Sequence, residues 1–384
     1  MPPTSKESSQ LEIISIIALC LSMAYLIATL VILHGTTRWP DTTRETPTVT
    51  VIIAARDEED ALPECLDSIA DVDYPNDLWE VTVVDDRSVD RTSEIVEEWR
   101  AHIPNLQLHR VNRCPEDMGG KQNALAEGID RSDHKSDVIL FTDADCRVPP
   151  TWIRDMVGRM TAGVGVVAGL TDLRADGPFG AAQAGDLTHL LTVTWGLSGL
   201  GVPMSLIGNN FAIRRVAYRQ IGGYRALGRT VAEDFAILSA ITAQTGWNVA
   251  CAADLDRCVE SDPEFTFGGF WRQRARWASG STEVRGWKLG LLVFSLLQRS
   301  ALIGSVIAAA LGATPLLTTL AAVGCWYAAD IALIVRGTLW MGRPERLWTA
   351  FVVPWFQLAY QTAIGLRTAL HLGPIVWKGE VYKT

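Results

Sequence analysis

The sequence predicts an α/β fold, a mostly parallel sheet with flanking helices, joined to transmembrane helices. Three observations predict it. Apolar, strand-like runs that end in acidic loops alternate with helical patterns through the first half of the chain, as in sheets covered on both faces. Long uncharged apolar stretches stand near both ends. And 48% of the 384 residues are hydrophobic, enough for one large domain as well as membrane segments.

The elements follow in chain order. Ile13 to Leu33 is an uncharged apolar run of 21 residues, long enough to span a bilayer. It is too long for a signal peptide core, only Lys6 precedes it among basic residues, and no small-residue cleavage site follows, so an uncleaved anchor is expected. Arg38 and Arg44 come next and favour a cytosolic domain after it. "TVTVIIAARDEEDALPECLDSIADVDYP" reads as strand, loop and helix. "WEVTVVDDRSVDRTSEIVEEW" and "DVILFTDADCRVPPTWIRDMV" repeat the pattern. "GVGVVAGL", "LIGNNFAIRR" and "WNVACAAD" are further strands, and Ala181–Leu197 and Asp234–Gln244 are helices.

After Trp277 the character changes. Ser300 to Ala329 carries no charge over 30 residues. As helix that is roughly 45 Å, too long for one upright span. A hairpin over about 300–335 is expected, turning at Gly312–Pro315, followed by an apolar stretch at 347–368 whose Gln357, Gln361, Arg367 and His371 suit an interfacial helix. The division is therefore 1–44 for tail and anchor, 45–285 for the catalytic domain and 286–384 for the C-terminal membrane region.

A net charge of −9 is a poor match for a phosphate backbone, so no nucleic-acid partner is expected. Seven cysteines are scattered without a C-x-x-C pair, which favours reduced thiols and a cytosolic catalytic part. The six histidines are scattered too, against a zinc site.

Acids collect where strands end: Asp57-Glu58-Glu59, Asp85-Asp86 and Asp143-x-Asp145. In open α/β sheets ligands bind beyond the carboxyl ends of strands. The first loop, "AARDEED", has no glycine, so phosphates of a bound nucleotide would need a cation in place of a glycine cradle. Asp143 and Asp145 sit two apart, and in an extended chain both project to one side. They can hold Mg2+ or Mn2+, or Asp145 can start a turn before Pro149; both readings stand. In "TVAEDFAILSAI", Thr230-x-x-Glu233 reads as a capping box, which leaves Asp234 in the first turn as a candidate general base. On a helix Gln273, Arg276 and Trp277 share a face; a basic juxtamembrane helix is the other reading.

Taken in order, Asp85-Asp86, Asp143-Ala-Asp145, Glu233-Asp234 and Gln273-Arg-Ala-Arg276-Trp277 resemble the D, D-x-D, E-D and Q-x-x-R-W motifs of family 2 glycosyltransferases. "GGKQNALAEGI" and "GNNFAIRRVAYRQIGGY" resemble the segments between them, and the likeness runs from about Thr48 to Glu283. The resemblance implies a GT-A nucleotide-diphospho-sugar transferase fold. It implies that Asp86 binds the uracil or ribose side of UDP, with Ala54, Arg56 and Glu58 lining the pocket and Lys121 near the donor. Asp143 and Asp145 would bind Mg2+ or Mn2+ and the donor sugar. Asp234 would deprotonate the acceptor, Gln273, Arg276 and Trp277 would close over diphosphate and acceptor, and Glu233, Asn209, Asn210 and Trp277 would border the acceptor. Direct displacement with inversion follows.

The first loop departs from the family's usual Arg-Asn-Glu at Asp57, and the tail "VWKGEVYKT" carries Glu380 where the family has arginine. Three spans after the domain would put that tail outside; in relatives it lies near the cytosolic active site. The expected function is an inverting transfer from a nucleotide-sugar to a membrane-lipid hydroxyl. The alternatives are a processive polysaccharide synthase, which would make a polymer ladder, and a catalytically silent sugar-nucleotide-binding membrane subunit, which would be expected to lack a motif acid.

Overall fold

The structure, a computed structural model, describes residues 5–38, 41–230, 232–252, 258–280, 286–370, 373, 375–377 and 380–382. The chain divides into two compact units: Arg38–Asp176 with Leu197–Glu264, and Met1–Thr37 with Gly177–Gly196 and Phe265–Thr384. The sequence division assigned the whole of 45–285 to one domain, whereas contacts group Gly177–Gly196 and the chain from Phe265 with the apolar helices.

The first unit is built on β1 (Val49–Ala55), β2 (Trp79–Asp86), β3 (Leu106–Val111), β4 (Val138–Asp143), β6 (Val164–Ala168), β8 (Phe211–Arg214) and β9 (Asn248–Cys251). Their order across the sheet is β3-β2-β1-β4-β8-β6-β9. β8 runs antiparallel to both its neighbours, and the other pairs are parallel. A second, small sheet joins β5 (Cys146–Arg147), β10 (Val259–Ser261) and β7 (Thr171–Leu173).

Both faces of the large sheet are covered. Val49, Val51 and Ile53 of β1 pack with Leu62, Leu66 and Ile69 of α2 (Leu62–Ala70) and with Trp152 and Ile153 of α5 (Trp152–Val157). Ile52 points the other way, into a cluster with Ala124, Leu125 and Ile129 of α4 (Gly120–Arg131) and Ile237 and Ile241 of α8 (Glu233–Gln244). That alternation is the period of a strand. It also explains why β1 reads as an unbroken apolar run. Two short helices complete this unit, α3 (Thr92–Trp99) and α7 (Arg215–Gln220). The expected strand over "LIGNNFAIRR" begins only at Phe211. The Asn210 amide donates to the Leu170 carbonyl at 2.6 Å and accepts the Trp152 indole N–H at 3.0 Å, which holds the preceding residues in a turn.

The second unit holds α1 (Ser5–Gly35), α6 (Gly177–Gly199), α9 (Phe267–Ser279), α10 (Trp287–Ala310), α11 (Leu316–Trp340) and α12 (Thr349–Ala369). Among the described residues, Glu12–Gly35, Lys288–Ala310 and Leu316–Trp340 are long and apolar enough to cross a membrane. Their polar groups face one another, as helices in lipid require. Gln298 donates to Ser22 at 3.1 Å, the Ser305 and Thr319 hydroxyls meet at 2.8 Å, and Tyr25 donates to the buried Asp330. α10 starts well before Ser300, because Arg299 is buried and donates to Ser295 one turn earlier within the helix. The break between α10 and α11 falls at Gly312, with φ of 69°, and Pro315. In the tail, β11 (Ile375–Trp377) pairs with β12 (Glu380–Tyr382); Lys378, Gly379 and His371 lie outside the described residues, as do 281–285.

Gly128 of α4 sits where a Cβ would stand 2.7 Å from Val84 Cγ2 and 3.1 Å from Ile52 Cγ2. Gly128→Val should therefore overpack the helix–sheet contact and destabilise the protein by about 1–3 kcal/mol, read as a lowered thermal unfolding midpoint in detergent.

Candidate active site

The site starts from strand register. Ala54 of β1 is level with Asp143 of β4, and Ala55 with Asp85 of β2. Three parallel strands thus end side by side. Asp86 is the last residue of β2, and Arg56 and Asp145 follow just beyond the ends of β1 and β4.

In two of the acidic clusters most residues tie the loops together. Asp57 adopts φ of 53°, a left-handed conformation that Asn and Asp tolerate. Its amide donates to the Ser88 hydroxyl at 3.0 Å, and its carboxylate accepts the Val89 amide at 2.9 Å. The Glu58 amide donates to Thr92 at 2.9 Å, the Glu59 amide to Asp90 at 3.0 Å, and the Glu59 carboxylate accepts the Arg91 amide. Burial raises the Asp90 pKa, but hydrogen bonds from Thr92 and nearby amides outweigh it and hold the carboxyl below its ordinary value. Asp85 is fully buried, accepts from the Ser88 amide at 2.8 Å and the Ser93 hydroxyl, and forms an ion pair with Arg110 at 3.2 Å. Asp86 is nearly as buried, at 4% exposed, and faces arginine side chains. Arg87 grips it with two hydrogen bonds, at 2.8 and 3.0 Å, and Arg56 lies 3.9 Å away.

Asp143 and Asp145 do not lie in one extended stretch, as the spacing argument supposed. β4 ends at Asp143, and the chain turns at Ala144 and Asp145 before β5. The two carboxylates nevertheless act on the same buried thiols. Burial first, then Asp145 and Asp143, pushes the Cys65 and Cys146 thiols well above their ordinary range. Cys146 donates to Asp145 at 3.4 Å, and Cys65 to the Asp143 carbonyl at 3.6 Å. These cysteines are a neutral wall beneath the carboxylates. Among the described residues no disulfide joins any cysteine.

Lys121, near the start of α4, bridges two motifs. Its ammonium is 2.6 Å from Asp143 and 3.3 Å from Glu233. The capping box does not form. The N-cap of α8 is Ala232 without a side-chain cap bond, Thr230 accepts the Ala232 amide, and Glu233 is turned to Lys121. Asp234 follows in the first turn, accepts its neighbour Phe235's amide at 2.7 Å and lies against Gly208. Two participants were not assigned from sequence. Gln122 donates to the carbonyls of Tyr224 and Gly228 at 2.9 and 2.7 Å, bracing the segment that leads into α8. Gly208 leaves room for Asp234, since a Cβ there would come within 3.2 Å of its carboxylate. Both lie in "GGKQN" and "GNN", quoted for likeness but given no role.

Asn209 accepts from Thr171 at 2.7 Å and donates to Cys146 at 3.3 Å. Asn210 is 2% exposed and engaged internally on both sides of its amide. Gln273, Arg276 and Trp277 stand on α9 of the other unit, where Trp277 is 38% exposed.

Asp143 and Asp145 offer hard carboxylate oxygens, and the Lys121 ammonium shows that Asp143 already accepts a cation. Among the described residues no group of three His, Cys, Asp or Glu side chains is arranged to hold an ion. A divalent ion held here would draw hard oxygens from Asp143 and Asp145 and the rest of its shell from elsewhere, as such ions do with substrate phosphates.

The mostly parallel sheet with carboxylates at its strand ends is the GT-A fold of glycosyltransferases, which the comparisons with known proteins identify. The chain belongs to glycosyl transferase family 21, whose sequence profile matches residues 12–384. Its motifs resembled those of family 2, and the glycosyltransferase class is common to both readings. It is 29% identical over 281 residues to a beta-monoglucosyldiacylglycerol synthase of Synechocystis sp., covering 65% of this chain and 54% of that protein. It is 29% identical over 261 residues to the probable glycosyltransferase YdaM of Bacillus subtilis, covering 64% and 58%. The chain thus spans little more than half the length of these curated relatives. The mannosyltransferase PcManGT from Pyrobaculum calidifontis, solved in complex with GDP-Man and Mn2+, shares the fold with a TM-score of 0.58 at 22% identity, over 90% of this chain and 99% of that one.

Asp85→Ala should orphan the Ser88 amide and the Ser93 hydroxyl and destabilise the protein by about 1–3 kcal/mol, measured by denaturant unfolding. Cys65 and Cys146 should resist alkylation at pH 8 in the folded protein, because their thiolates are suppressed; mass spectrometry after iodoacetamide checks it.

Proposed function

We propose that the protein is a membrane-bound inverting glycosyltransferase. It moves a sugar from a nucleotide-diphospho-sugar to the hydroxyl of a membrane lipid. The observation that carries the reading is the convergence of Asp143, Lys121, Glu233 and Asp234 on a chain whose helices are long enough to cross a membrane. The relative named for a glucosylated diacylglycerol supports a lipid acceptor.

The residues divide the work. Ala54, Arg56, Glu58 and Asp86 line the nucleoside side, with UDP the donor nucleotide adopted here. Asp143 and Asp145 would hold Mg2+ or Mn2+, which offsets the charge of the departing diphosphate when bound. Lys121 adds a fixed positive charge beside Asp143. Glu233 is engaged by that lysine, and Asp234 takes the base role that the motif resemblance implies. The acceptor oxygen bonds to the anomeric carbon as the bond to the diphosphate breaks. The hydroxyl proton passes to Asp234, and the configuration inverts. Gln273, Arg276 and Trp277 take the diphosphate and acceptor roles that their motif implies. The catalytic unit faces the cytosol, on the strength of Arg38 and Arg44 after α1.

The test is nucleotide diphosphate release by the full-length protein in detergent with Mn2+, across UDP-, GDP- and dTDP-sugars, with total lipid from the native host. Release should need one donor and lipid, add a single sugar, stop with a chelator and fall by about 10²–10⁴ in Asp234→Asn. A polymer ladder would replace this reading with a polysaccharide synthase. Nucleotide binding with no turnover would make the protein a silent subunit.

A further inference from the structure

We propose that Asp186 and Arg274 are positioning residues for the Q-x-x-R-W segment, holding Gln273 and Trp277 in their working orientation. The pair lies wholly within the unit of apolar helices. The catalytic meaning of that segment rests on the function proposed above; the geometry does not.

Asp186, in α6, is fully buried. One carboxylate oxygen accepts the Arg274 Nε–H at 3.0 Å and has Nη2 at 2.9 Å. The other accepts Gln357 at 2.8 Å and the Tyr360 hydroxyl at 2.6 Å, both from α12. One acid thus receives donors from two other helices. Arg274 is itself only 4% exposed.

Arg274 occupies an unspecified position of the motif, yet it touches two of the specified ones. Its Nη1 donates to Gln273 Oε1 at 2.6 Å. Its guanidinium lies 4.1 Å from the centre of the Trp277 ring and 4.8 Å from that of Phe270. A path of direct contacts therefore runs from Asp186 through Arg274 to Gln273 and Trp277. The indole is backed by the guanidinium, and the residue remains 38% exposed.

The ion pair is not needed for adhesion. Phe270 is fully buried and packs against Phe356 at 5.2 Å and Tyr360 at 5.0 Å, so apolar contacts already dock α9 on α12. Apolar contacts leave rotation about the helix axis loosely defined. A guanidinium whose Nε donates to a fixed carboxylate and whose Nη1 donates to Gln273 does not, because hydrogen bonds are directional. A buried pair often adds little net stability over apolar packing. Orientation is what it adds here.

Asp186→Asn would leave a buried guanidinium poorly paired and risks unfolding, so Arg274→Lys, which keeps the charge and loses the separate Nε and Nη1 donors, is the primary variant. The protein is labelled with 5-fluorotryptophan in detergent, and the Trp277 resonance is assigned with Trp277→Phe. In Arg274→Lys the Trp277 resonance should shift or broaden while the other tryptophan signals and the thermal midpoint hold. kcat should fall by about 10²-fold with the donor KM unchanged, and the loss should not add to that of Trp277→Ala. An unmoved Trp277 resonance, or losses that add in full, would overturn the proposal. If the wild type transfers no sugar, the catalytic reading fails, and the fluorine signal still decides whether Arg274 orients Trp277.

Discussion

The catalytic unit depends on one constraint of register: three parallel strands of its sheet end level. Ala54 beside Asp143 and Ala55 beside Asp85 put the tips of β1, β2 and β4 in a row. Both faces of the sheet are covered by helices, so charge cannot stand on its faces without a partner. The strand tips are where carboxylates can gather near water. Lys121 then spans from α4 to Asp143 and to Glu233 at the start of α8, so elements far apart in sequence converge on one position.

Some of the gathered acids are occupied within the protein itself. Asp85, Asp90 and Glu59 are consumed in shaping their own loops, through bonds to Ser88, Thr92 and Arg91. That work is what lets Asp86 and Glu58 stand in fixed places without a glycine-rich turn. An unpaired acid among them would cost stability, whereas one that accepts several amides is satisfied. Asn210 has a similar standing. It adjoins Asn209 in sequence, but Gly169 leaves space for its amide, which belongs to the core.

The strand-acid-helix repeats were legible because period-two burial and acidic strand ends are local signals. The order of motifs was legible for the same reason. What escaped depended on distant partners. The turn at Ala144–Asp145 follows from β5 pairing with β10, more than a hundred residues on. The Thr230 capping box looked sound locally and lost to Lys121, which draws Glu233 away. Arg299 hid the first half of α10, since a charge reads as a boundary until its neighbour Ser295 and its burial are seen. Asp186 sat inside a readable helix, but nothing near it in sequence announces Arg274, Gln357 or Tyr360.

The departure at Asp57 now has a physical meaning. At φ of 53° either asparagine or aspartate is tolerated, and either supplies the oxygen that the Val89 amide needs. The exchange is therefore silent in the backbone. What changes is electrostatic: the rim of the loop gains a half-exposed negative charge 4.0 Å from Arg56. A dianion at the proposed donor site would feel this charge together with that of the arginine. Mobile salt screens such a field over about 8 Å at physiological ionic strength. In the proposed reading of this loop as part of the donor site, donor capture would depend on ionic strength more than with an asparagine at position 57.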